Sequence, residues 1–135
     1  MLLQKLNNRS GGFTLVELMI VVGVIVVLAG IGIPAFLRAR KRSQATRILE
    51  DLRLIDASVD QYALETNKAG GANVAWVDIQ KYLKKDTAVY SSFGSDLLGN
   101  FFIGYSVDSV PKLSATTFGK LSDVAPSDFW SPFYP

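Results

Sequence analysis

The chain has 135 residues, 49% of them hydrophobic, a formal net charge of +2, and neither cysteine nor histidine. That length allows one membrane span and one small folded unit. Without Cys and His there is no disulfide framework, no thiolate metal site and none of the commonest nucleophile and base pairs; only carboxylate, Lys, Tyr or Ser chemistry remains, which argues against an enzyme.

Taken in order, Met1 to Gly12 is a short basic stretch holding Lys5 and Arg9, too short and polar to contain the apolar region of a secretory signal. From Phe13 to Leu37 the chain is apolar apart from one charge, Glu17. As a helix this segment spans about 37 Å, enough to cross a bilayer core with some tilt. A carboxylate inside such a span costs roughly a few kcal/mol, so Glu17 requires a partner. The nearest cation exists only if the chain is cut between Gly12 and Phe13. The new α-amine of Phe13 then lies one helical turn from Glu17, and a neighbouring copy can supply a second. Further along, Pro34 cannot donate the helical bond that the Gly30 carbonyl accepts, so the helix is expected to be weakest between Gly30 and Pro34. Ordinary Gly and Pro usage in membrane helices explains the same residues.

Gly12-Phe13-Thr14-Leu15-Val16-Glu17, behind Lys5 and Arg9 and ahead of Pro34, resembles the class III signal of type IV prepilins and type II secretion pseudopilins. The resemblance implies that a prepilin peptidase removes residues 1–12 at Gly12/Phe13 and N-methylates Phe13. It also implies that the mature chains polymerise through their apolar helices, with Phe13 and Glu17 aligning neighbouring copies and the Gly30–Pro34 region melting on assembly. It places the protein in a bacterial inner membrane as a single-pass chain with a cytoplasmic N-terminus, and then in a periplasmic or cell-surface filament. The charge pattern alone gives the opposite orientation, because two basic residues precede the span and five follow it: Arg38, Arg40, Lys41, Arg42 and Arg47. The orientation therefore rests on the resemblance.

That basic cluster suits lipid head groups or acidic neighbours. From Ile48 to Pro135 the balance reverses, with seven basic against eleven acidic residues, so no nucleic-acid partner is expected. Between Arg38 and Thr66 a soluble helix continues the span, since Ala45, Ile48, Leu52, Ile55, Val59 and Tyr62 recur at spacings of three and four. This stripe covers too few heptads for a long coiled coil and is expected to pack on the chain's own body. Asn67-Lys68-Ala69-Gly70-Gly71 supplies the stop, with glycine in the left-handed cap. A second helix is expected from about Val74 to Lys84, with Trp76, Ile79 and Leu83 on one face. Beyond a turn-rich linker, Phe101 to Val107 reads as a strand and Val110 to Leu113 as its partner.

Asp96-Leu97-Leu98-Gly99-Asn100-Phe101-Phe102 partly resembles the D-P-W-G-N-P-Y stretch of major pseudopilins, with Leu97, Leu98 and Phe101 departing from it. The resemblance raises calcium as a ligand, with Asp96, Asp108, Asp123 and Asp128 as oxygen donors. The residues read alone give solvated or capping acids and no cofactor. Ser114 is the expected N-cap of a short helix ending near Leu121. The aromatic tail Phe129 to Pro135 is either folded back on the core or a receptor patch.

The expected fold is α+β: a long N-terminal helix, half transmembrane and half soluble and amphipathic, carrying a small body with short helices and a small antiparallel sheet. The expected domains are a 1–12 leader, a 13–37 transmembrane and polymerisation helix, and a 38–135 soluble continuation and body. The expected function is a structural filament subunit whose partners are the prepilin peptidase, further pilins or pseudopilins, and inner-membrane lipid. A single-span anchored binding domain that never polymerises, and a DNA-uptake pilin, are the alternatives.

Overall fold

The computed structural model describes residues 11–135; the basic stretch with Lys5 and Arg9 lies outside them. Helix α1 runs uninterrupted from Leu15 to Thr66, 52 residues with Pro34 inside. Thr14 opens it: the Leu18 amide donates to the Thr14 carbonyl at 3.2 Å, the first helical bond. At the other end Asn67 adopts the left-handed conformation with φ 51°, and the Lys68 amide returns to the Ala63 carbonyl at 3.2 Å. Asn67, rather than a glycine, thus fills the C-terminal cap position, because its short polar side chain tolerates the left-handed region.

The chain divides into two compact units at Leu37 and Arg38. In the first, α1 is apolar and exposed: Phe13 is 83% exposed, and the large hydrophobic residues from Leu15 to Leu37 are all at least 50% exposed. This is the one helix among the described residues that is long and apolar enough to cross a membrane.

In the second unit the later turns of α1 form the floor of a core. Ala45, Ile48, Leu52 and Ile55 are fully buried and Val59 almost so, while Tyr62 packs at the margin, so the three-and-four stripe faces the body. Short elements cover it: α2 (Trp76–Ile79) running into a 3-10 turn (Gln80–Tyr82), α3 (Ala88–Ser91), α4 (Ala115–Leu121) and α5 (Ser127–Trp130). The expected second helix is therefore a single α-turn with a 3-10 extension, which still buries Ile79 and Leu83. Ser114 caps α4, its Oγ accepting from the Thr116 amide.

The antiparallel sheet expected from Phe101 to Leu113 does not form among the described residues. Four isolated antiparallel bridges stand in its place, Ile103 with Lys112 among them. The pairing is real but short: Ile103 and Lys112 exchange both backbone bonds, at 3.0 and 2.7 Å. Gly104, with φ 81°, turns the chain out of the extended region beside Ile103, and Pro111 offers no amide beside Lys112, so neither segment can lengthen the ladder. The aromatic tail returns to the core. Trp130 is fully buried with its indole N–H donating to the Ala125 carbonyl at 3.0 Å, Phe133 is buried, and the Leu113 amide donates to the Phe133 carbonyl at 2.9 Å.

Candidate functional site

Gly11 and Gly12 are exposed, and a side-chain carbon added at Gly12 would meet nothing within 4 Å. The fold of the chain itself does not demand glycine there. Two residues on, Thr14 and Glu17 form a reciprocal pair. The Thr14 amide donates to Glu17 Oε2 at 2.8 Å, and the Glu17 amide donates to Thr14 Oγ1 at 3.2 Å. This is a capping box at the head of α1, satisfying two amides that the first helical turn leaves without partners. Glu17 thus has a partner within its own chain, one that does not depend on a cut at Gly12. The signal was present in the sequence as Thr-x-x-Glu before an apolar run, and the requirement for a cation obscured it.

Gly30 and Pro34 both lie inside the uninterrupted α1, and a side chain added at Gly23, Gly30 or Gly32 would meet nothing within 4 Å. Glycine on this helix therefore leaves the backbone open to whatever packs against it, while Pro34 leaves the Gly30 carbonyl without its helical donor.

The acids considered for calcium are dispersed, and no three acidic side chains among the described residues are placed to hold a metal ion. Asp96 is buried and its oxygens are occupied: Oδ1 accepts from the amides of Leu98 at 2.8 Å and Asn100 at 3.0 Å, and Oδ2 accepts from the Thr117 hydroxyl. Asn100 Nδ2 in turn donates to Thr117 Oγ1 at 2.9 Å. The Asp-Leu-Leu-Gly-Asn stretch is thereby a closed loop locked onto α4, and Thr117 is a partner that the sequence did not reveal. Asp123 pairs instead with Lys41 at 2.8 Å, and that hydrogen bond, with the Lys41 and Arg38 charges, holds its carboxyl below the usual range. Asp108 sits in the left-handed region beside Gly70, and Asp128 lies in the first turn of α5.

One acid was not anticipated. Asp51 lies on α1 between Ile48 and Leu52, is only 9% exposed, and makes no hydrogen bond or ion pair among the described residues. Burial first, and then the nearby charges of Glu50 and Asp96, push its carboxyl up from 3.8 to about 6, against a smaller pull from Arg47.

The described residues thus combine an exposed apolar helix, opened by a threonine and a glutamate, with a small body packed on the later turns of the same helix. Residues 7–33 match the family model described as the prokaryotic N-terminal methylation motif. The chain is 37% identical over 71 residues to a type IV major fimbrial protein FimA of Dichelobacter nodosus, covering 53% of this chain and 46% of that protein. It is 38% identical over 58 residues to prepilin peptidase-dependent protein D of Escherichia coli, covering 43% and 40%. It is 28% identical over 61 residues to type II secretion system core protein G of Klebsiella pneumoniae, covering 45% and 44%. Its relatives are thus type IV pilins and type II secretion pseudopilins, and the chain spans about half the length of those it matches. No solved structure gives a significant match.

Proposed function

We propose that this protein is a structural subunit of a type IV pilus-like or type II secretion pseudopilus-like filament. It is anchored in the inner membrane by residues 13–37; a prepilin peptidase cuts at Gly12/Phe13 and methylates the Phe13 amine, and the mature chain leaves the bilayer only on joining the filament. The observation that carries this reading is the exposed apolar face of α1 up to Leu37, opened by the Thr14–Glu17 box and matched by relatives that are pilins and pseudopilins. An apolar surface of that extent needs lipid or other helices around it.

Two further observations support the finer steps. A glycine that the fold does not require, Gly12, fits a peptidase that must close around the backbone there. The printed name of the Escherichia coli relative describes it as prepilin peptidase-dependent. Within the filament, Glu17 pairs with the Phe13 amine of a neighbouring copy, since apolar helices around it exclude water and favour the one register in which both charges are matched. The Gly30–Pro34 stretch is the place where α1 yields on assembly. The basic residues from Arg38 to Arg42 meet lipid head groups before assembly.

Mass spectrometry of the protein from membranes, and electron microscopy of sheared material, test this. The expected result is a chain starting at methylated Phe13 and present in filaments. A chain that retains residues 1–12 and forms no filaments would instead identify a single-span anchored binding module.

A further inference from the structure

We propose that the pocket around Asp51 receives an arginine from the Arg40–Arg42 turn of a second copy of this chain, forming a buried ion pair between subunits. The proposal rests on the filament reading above and adds the chemistry of one contact within it.

The pocket has a volume of about 270 Å3 and is bordered by Arg47, Glu50 and Asp51 on α1 and by Thr87, Ala88 and Leu97 from the body. Asp51 is 9% exposed and has no protein partner among the described residues; its carboxylate opens into the pocket, and the water it has lost is not offset by a counter-charge. The residues facing it do not resolve that cost. Glu50 and Asp96 add negative charge, and Arg47, one turn back on the same helix, exerts only the smallest of the electrostatic effects on it and forms no ion pair with it. The pocket therefore presents unmatched negative charge with space in front of it. A guanidinium suits such a space because its fork of donors meets both oxygens of a carboxylate.

The same chain supplies the complementary group. Arg40 and Arg42 are exposed and unpaired among the described residues, whereas Lys41 between them is held by Asp123. They lie in the basic run from Arg38 to Arg47, and the remainder of the chain is acidic. Within one copy the contact is out of reach, since nine residues of helix separate Arg42 from Asp51, about 14 Å along the axis. Two parallel copies offset along the axis by about that distance bring the arginine turn of one level with the pocket of the other. Repetition of the contact generates a head-to-tail row, the heterologous arrangement a filament needs.

The test uses the full-length chain in cells that assemble it. Asp51→Asn, and Arg40→Gln combined with Arg42→Gln, are each scored for sheared filament yield. A third variant joins Leu97→Cys at the pocket rim to Ser43→Cys beside the arginines; because the natural chain has no cysteine, oxidised multimers that neither single-cysteine variant gives report this contact. Each charge variant is expected to lose about ten-fold in yield. Combining them should cost nothing further, because both remove one contact. The cysteine variant should yield covalently linked multimers. Normal yield from Asp51→Asn, additive losses, absence of inter-copy cross-links, or reproduction of the Asp51→Asn loss by Arg47→Gln but not by the Arg40/Arg42 variant overturns the pocket contact while leaving the filament reading intact. Absence of filaments from the unsubstituted chain overturns both.

Discussion

Asp51 and Glu17 are both carboxylates on α1, and their surroundings give them opposite tasks. Asp51 keeps its proton to about pH 6 in the folded chain, whereas the unfolded chain releases it near 3.8, so stability falls as pH rises through that window. In a fragment beginning at Arg38, Asp51→Asn should remove most of that fall and raise stability at pH 7 by about 1 to 3 kcal/mol, read from urea unfolding at pH 4.5 and 7. Equal stability of both proteins at pH 7 would mean that water or a swung Arg47 already relieves the charge. Glu17 closes the capping box with Thr14, and glutamine can close the same box. Glu17→Gln therefore separates cap from charge: it should insert and be processed normally but join filaments poorly. Glu17→Ala loses the cap as well, at about 0.5 to 2 kcal/mol of local helix stability. Normal filament abundance from Glu17→Gln would reduce Glu17 to a helix cap.

At the level of elements, the second unit depends on two attachments to its scaffold. The stripe on α1 buries Leu52 completely, so Leu52→Ala in the same fragment should cost about 2 to 5 kcal/mol, measured by thermal or denaturant unfolding. The 96–100 loop is fastened to α4 through Thr117, which is fully buried between Asp96 and Asn100. Thr117→Val keeps the shape and removes the hydroxyl, leaving a buried carboxylate oxygen without its donor, and should cost about 1 to 3 kcal/mol. A loss no larger than a few tenths would show that solvent replaces the hydroxyl. Gly94 is a third fixed point: its φ is 81°, and a side chain there would approach the Trp76 ring to 2.8 Å.

For the whole molecule, the two units differ in what surrounds them. Every large hydrophobic side chain from Phe13 to Leu37 is exposed, while the second unit has a continuous core running from Ala45 to Phe133. The fragment from Arg38 should consequently be soluble and monomeric, and the full chain should require detergent or lipid; sedimentation of both in the same buffer checks this. A full chain that stays monomeric without detergent would remove the reason for either a membrane or a filament. The contact proposed at Asp51 would then lack the assembly it belongs to.

The long helix was legible because its evidence is local and repeated. The apolar run, the three-and-four stripe from Ala45 to Val59 and the lack of Gly or Pro after Pro34 all point to one element, and each turn repeats the signal. The Ser114 cap was legible for a similar reason, since one residue type in one context has few places to go, whereas the aromatic tail was left between two readings until the core was seen to bury Trp130 and Phe133. The sheet was misjudged because strand propensity in Phe101 to Val107 says nothing of register, and a positive φ at Gly104 is settled by the way the segment crosses the body. The Asp96–Thr117 lock joins residues 21 positions apart, and the pocket that Asp51 lines is bordered by Thr87, Ala88 and Leu97, which the body brings to one side of the helix. Sequence by itself determined the elements whose stabilising contacts recur within a few residues; tertiary structure alone decided which polar groups lost water, because that depends on what distant segments cover.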